Sequence, residues 1–108
     1  MIVRFALRAI REANRIDAWW RRHRPAARNL FVDELGSAVA VLRHSPRVGD
    51  AYSAPGAPDV RRVLLVVTRV HIYYVVDVAS GIVTIISAWS AVRGRGPRLR
   101  ARSIPRRS

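Results

Sequence analysis

Residues that suit a pleated sheet crowd the stretch from Arg61 to Trp89. They are valine, isoleucine, threonine and tyrosine, whose branched or aromatic side chains pack better on strands than in helices. The pattern predicts three consecutive strands, Arg61 to Val67, Val70 to Val78 and Ile82 to Trp89. Thr68-Arg69 and Ala79-Ser80-Gly81 leave room only for tight reversals, so neighbouring strands are expected to be antiparallel. The middle strand alternates. Val70, Ile72, Tyr74, Val76 and Val78 share one face, and His71, Tyr73, Val75 and Asp77 share the other. One face is therefore expected to meet a core. The other, carrying His71 and Tyr73 with Arg69 at its head, is expected to meet solvent, a ligand or another chain. The first strand is apolar on both faces beyond its leading arginines, which predicts a central position in the sheet.

Upstream, the period changes. Ala9, Ala13, Ile16 and Trp20 recur at i, i+4, i+7 and i+11, which predicts an amphipathic helix from about Arg8 to Arg22 with Trp19 only half covered. The residue before Pro25 is pushed out of helical geometry, so the helix should stop near His23-Arg24. Pro25 suits the first position of a second helix. Phe31, Leu35, Ala38 and Leu42 repeat the spacing of the first, and Ser45-Pro46 closes it. Two helices with so short a link form a hairpin, and the sheet is the apolar surface that can receive both stripes. Before them, Val3-Arg4-Phe5-Ala6-Leu7 alternates like an edge strand. Gly49 to Asp59 contains Pro55, Gly56 and Pro58 and reads as a turn-rich connector. The expected fold is α+β: an N-terminal strand, then an α-helical hairpin on a mostly antiparallel sheet, within one domain spanning 1–92. A basic tail, 93–108, has no hydrophobic period and is expected to be flexible.

Composition narrows the function. A chain of 108 residues, half of them hydrophobic, holds one domain with a core of its own. There is no cysteine, hence neither a disulfide nor a thiolate metal site. The formal charge is +13, and every basic residue other than histidine is arginine. Such a charge favours polyanions or an acidic protein partner. The apolar runs fall well short of the roughly 20 residues that span a bilayer, and a cytoplasmic protein without a membrane partner is expected. His23, His44 and His71 are scattered, and the seven acidic residues show no paired-carboxylate pattern. Gly94-Arg95-Gly96 lies in the tail rather than between a strand and a helix, so it is not a phosphate loop. No nucleophile elbow is present. Neither a cofactor nor a small-molecule substrate is expected.

The order of strand, helix hairpin, three-stranded meander and basic tail resembles the RelE/ParE family of type II toxin–antitoxin toxins. The resemblance covers nearly the whole chain. It is carried by Ile16-Asp17-Ala18-Trp19-Trp20-Arg21, by Phe31 and Glu34-Leu35, and by Leu42 with Pro46 and Gly49. It continues in Val60-Arg61-Arg62-Val63-Leu64-Leu65, in His71-Ile72-Tyr73-Tyr74, and in Ala88-Trp89 followed by Arg93-Gly94.

The resemblance implies a bacterial toxin held inactive by an acidic, partly disordered antitoxin that wraps the hairpin and the sheet. Trp19, Trp20, Phe31, Leu35, Val63 and Leu65 are the expected antitoxin contacts. Family members divide by target. RelE-like members cut mRNA on the ribosome with basic strand residues and a late tyrosine, whereas ParE-like members poison DNA gyrase. On the family pattern, Arg62 and His71 fall at two of the basic positions. Leu64 and Ala91 fall at two others, and no tyrosine follows Tyr74. The incomplete set points to a ParE-like gyrase poison, with a RelE-like endonuclease using Arg62, His71, Tyr73 and Arg93 as the alternative. Arg62, Arg69, His71, Tyr73, Arg93 and Arg95 are the expected target contacts. A non-toxic basic module that binds nucleic acid is a further alternative.

Overall fold

The computed structural model describes residues 1–54, 56–93 and 96–99, and of Ala54, Ala57, Pro58 and Arg93 the backbone alone. A five-stranded sheet runs in the order β1-β5-β4-β3-β2. Its strands are β1 (Ile2–Phe5), β2 (Asp50–Ala54), β3 (Ala57–Leu65), β4 (Val70–Asp77) and β5 (Ile82–Ser90). Helices α1 (Leu7–His23) and α2 (Leu30–His44) lie between β1 and β2 in sequence and cover one face. The pairing is antiparallel except at the edge, where β1 runs parallel to β5 with Ile2 opposite Ile82 and Phe5 opposite Ile85.

The core follows the two periods read from the sequence. Ala9 and Phe31 are fully buried against Ile72, Tyr74, Val83 and Ile85, and Ala13, Ile16, Trp20, Leu35 and Ala38 pack around them. α1 ends where expected: the Arg24 N–H closes on the Trp20 carbonyl at 2.9 Å, ahead of Pro25. The second helix begins later than Pro25 suggests. Pro25–Ala27 form one 3-10 turn, tightened by the Ala27 N–H on the Arg24 carbonyl, and the α-helix restarts at Leu30. Proline fixes φ for a helical first turn but cannot dictate the turn after it.

The connector from Gly49 to Asp59 is not all turn. It contains β2 and the start of β3, which pair as a hairpin with Tyr52 opposite Val60 and an irregularity before Ala54. β3 thus becomes an interior strand, as its two apolar faces predict. Gly49 is buried, and its N–H donates to the Tyr74 hydroxyl at 2.9 Å. A side chain there would meet the Arg62 carbonyl at 2.8 Å, so β2 can begin here only with glycine.

β3 stops at Leu65 rather than Val67. Val66 to Arg69 form the reversal, leaving Val66 and Val67 exposed. The reason lies on α2. Glu34 accepts the N–H groups of Val67 and Thr68 at 2.8 and 2.9 Å and the Thr68 hydroxyl at 2.6 Å, so these donors leave the ladder. Arg69 completes the turn in the left-handed region at φ +61°, with its N–H on the Leu65 carbonyl at 2.8 Å.

Burial pushes the Glu34 carboxyl up, but the bonds from the Thr68 hydroxyl and the two N–H groups outweigh it and hold the carboxyl below its ordinary value. That stabilisation is present above the unfolded value of 4.5 and is lost as pH falls through the lower folded value. Glu34→Gln puts a donor where an acceptor is needed. It is expected to cost about 1.5–3 kcal/mol at pH 7 and much less in acid. Denaturant melts at the two pH values measure this, and an unchanged difference would contradict it.

The meander is not regular. Tyr73 pairs with Ser87 and Tyr74 with Ile85, leaving Ile86 as an extra residue on β5. The bulge turns Ile86 onto the face away from the helices. Ser87 and Ala88 turn towards α1, where Glu12 accepts the Ser87 hydroxyl at 2.8 Å and the Ala88 N–H at 3.2 Å.

Candidate functional site

The face of the sheet opposite the helices gathers the residues with chemistry. Cross-strand register puts Arg62 opposite Tyr73 and Leu64 opposite His71, and His71 is in turn opposite Trp89 on β5. Tyr52 comes in from β2. Its ring meets that of Tyr73 edge to face at 4.9 Å between centroids, and the Arg62 guanidinium lies 5.0 Å from the Tyr52 ring centre. The His71 and Tyr73 rings are 6.1 Å apart, also edge to face. Arg62 is thus held over an aromatic floor beside an imidazole.

The electrostatics of this cluster favour a neutral histidine. Partial burial first, then the positive charges of Arg62 and Arg69, hold the His71 pKa below its ordinary 6.5. A neutral imidazole next to cations can accept a proton at neutral pH. Tyr73 behaves in the opposite sense. Burial raises its phenol above 10.0, a hydrogen bond from Arg62 works against that, and Tyr52 adds to it. Its phenol remains protonated, and it serves to fix Arg62 rather than to titrate.

Here the structure departs from the sequence expectation that His71 and Tyr73 both line a solvent face. His71 is partly exposed, but Tyr73 is 1% exposed. It belongs to a second apolar cluster with Val60, Ile86 and Leu99, flanked by Tyr52, Val75 and Trp89. Pro97 and Leu99, from the segment read as charged tail, are buried. Arg8 donates to the Arg98 carbonyl, tying this segment to α1. Arg69 is exposed at the turn. Arg93 ends a 3-10 turn, Ala91–Arg93, and its side chain lies outside the described residues, as does all of Arg95. Tyr52 is not nominated by the sequence, because Pro55, Gly56 and Pro58 give its strand the look of a connector; the one signal is an aromatic at the centre of Ala51-Tyr52-Ser53.

The residues expected to meet an antitoxin are spread between surface and core. Trp19 is 45% exposed, and Trp20, Leu35 and Val63 are half-buried. Phe31 and Leu65 are 1% and 3% exposed. Those two fill the space between α2 and the sheet, where a partner touches them only if the core opens. Among the described residues no group of three metal-binding side chains lies together, and no helix is long and apolar enough to cross a membrane.

Solved structures share this architecture. The chain matches a chain of the intact E. coli RelBE toxin–antitoxin complex with a TM-score of 0.55 and 24% identity, over 83% of this chain and 95% of the other. The isolated E. coli RelE toxin in its P21 form matches with 0.55 and 23%, over 83% of each chain. The chain has a RelE-like fold. A free-state RelE variant with two arginines changed to alanine also matches, with 0.54 and 24%, over 83% of this chain and 82% of that one. No protein-family model matches the chain, and no curated protein matches it significantly. At these identities the likeness is one of fold.

Proposed function

We propose that this chain is the toxin of a type II toxin–antitoxin pair and that it cuts RNA in the manner of RelE. The observation that carries the reading is His71, partly exposed between Leu64 and Trp89 in the register, with Arg62 held alongside on the Tyr52–Tyr73 pair. Partial burial, Arg62 and Arg69 hold its pKa below 6.5, so it is available as a base at neutral pH. RNA cleavage needs that combination. The imidazole takes the proton of a ribose 2′-hydroxyl, and the 2′-oxygen attacks the adjacent phosphorus. The bond to the 5′-oxygen breaks, leaving a 2′,3′-cyclic phosphate and a 5′-hydroxyl. Arg62 and Arg69 offset the charge that builds on the phosphoryl oxygens. The leaving oxygen takes its proton from water, because Tyr73 is covered and its phenol holds its proton.

The partner follows from charge and from the fold. A chain of net charge +13 with exposed apolar side chains suits an acidic, partly disordered antitoxin. E. coli RelE is found in a toxin–antitoxin complex, RelBE. Gyrase poisoning retains its support in the sequence: Leu64, beside His71 in the register, and Ala91 supply no charge where the family resemblance would want one, and no tyrosine follows Tyr74.

The test sets the two targets side by side. Purified chain is added to translating ribosomes and, separately, to gyrase with relaxed plasmid. Transcript cleavage with supercoiling intact is expected. Blocked supercoiling with whole transcripts would transfer the function to gyrase.

A further inference from the structure

α1 turns a second basic surface outward, away from the sheet-face site. Arg11, Arg15, Trp19 and Arg22 are exposed. At 100° per residue they fall within about 80° of arc, so they form one stripe about 16 Å long at 1.5 Å per residue. Neither acid of the helix is free to neutralise it. Glu12 is held by Ser87, Ala88 and Arg8, and Asp17 by Arg21 at 2.9 Å. Among the described residues Arg11, Arg15 and Arg22 therefore have no carboxylate partner.

The stripe ends in a stack of rings. Trp19 is 45% exposed; His23, also exposed, lies nearly parallel to it at 4.8 Å and 19°, and the Arg24 guanidinium is 5.5 Å from its ring centre. An acidic antitoxin would use the charges and cover Trp19, but it does not call for indole, imidazole and guanidinium planes stacked in one array. A nucleic-acid strand uses both, since its phosphates follow arginines and its unpaired bases stack on indole, imidazole or guanidinium planes. The surface is also continuous with the candidate site. Arg15 lines a cleft at the end of β5 together with Glu12, Ile16, Trp89 and Ser90, and Trp89 is the cross-strand neighbour of His71.

We infer that the outer stripe of α1 is a second, sequence-independent RNA-binding surface. Arg11, Arg15 and Arg22 contact phosphates, and the Trp19–His23 stack receives an unpaired base. That such a strand goes on to be cut at His71 rests on the RNA-cleaving function proposed above; binding to the stripe does not.

The probe is a fluorescein-labelled, unstructured 12-nucleotide RNA, with binding followed by anisotropy across a salt series. Every ribose of the probe is 2′-O-methylated, so no 2′-hydroxyl is present to attack the phosphate, and a failure of the catalytic proposal leaves this measurement intact. Trp19→Ala is expected to weaken binding about tenfold, and Trp19→Phe, which keeps a stacking ring, to restore most of it. Arg11→Gln, Arg15→Gln and Arg22→Gln together are expected to lower the salt slope by about 2, at about 0.7 per lost phosphate contact. Circular dichroism confirms that each variant is folded. Unchanged affinity and slope in these variants would overturn the inference. So would an equal loss of RNA and polyglutamate binding in the arginine variant with no effect of Trp19→Ala, which would assign the stripe to an acidic protein instead.

Discussion

His71→Ala is expected to reduce RNA cleavage about 10²- to 10⁴-fold, the contribution of a positioned general base, with little loss of stability because the side chain is partly exposed. The pH profile separates this role from a structural one. The free base is the active form, so the rate should rise with pH and level off at the imidazole pKa, below 6.5. Arg69→Gln removes one of the two charges holding that value down, so the rising limb should move to higher pH. Folding changes in a related sense. The unfolded imidazole binds its proton more readily than the folded one, so stability is complete above 6.5 and declines as pH falls through the folded value. Cleavage rates of wild type, His71→Ala and Arg69→Gln between pH 5 and 8 measure the first effect. A profile that Arg69→Gln does not move would remove His71 from the role of base.

Phe31→Ala is expected to destabilise the domain by about 3–5 kcal/mol. Its ring is 1% exposed, and it joins α2 to Ile72, Tyr74 and the rest of the sheet. Trp20→Ala should cost clearly less, because Trp20 packs against the rim of the same core and remains partly exposed. Trp19→Ala should cost least. Denaturant melts of the three variants establish the order, and equal losses for Phe31 and Trp19 would mean that α2 does not seat where it is described. The same measurement bears on partner binding. A weakened complex in Phe31→Ala would report a softened core rather than a lost contact.

Much of this arrangement is legible in the residues. The alternation of Val70, Ile72, Tyr74 and Val76 states which face of β4 meets the helices, and Ala9, Ala13, Ile16 and Trp20 state which stripe of α1 faces them. Periodicity works here because one face of each element is uniformly apolar. It is silent about the other face. Nothing along β4 says that Tyr73 is covered, since the cover is Leu99, drawn from a segment in which charge hides two apolar residues. β2 escapes for a related reason. Asp50 to Ala54 hold alanine and serine around a single tyrosine, and the strand exists because β3 offers an edge and Gly49 lets the chain approach it. The early end of β3 is equally hidden, because it depends on a carboxylate more than thirty residues upstream. Arg62 and His71 could be nominated from sequence as separate positions. That they share a face with Tyr52 is a property of pairing across three strands.

The turn at Arg69 places two demands on one position. A side chain at φ +61° costs about 1 kcal/mol or more relative to glycine, so folding alone would select glycine or asparagine there. The charge beside His71 pulls the other way. This position is thus a reporter of selection. In lineages where the chemistry has lapsed, drift should carry it towards glycine before the core changes, and descendants that keep arginine there mark those in which the site is still in use.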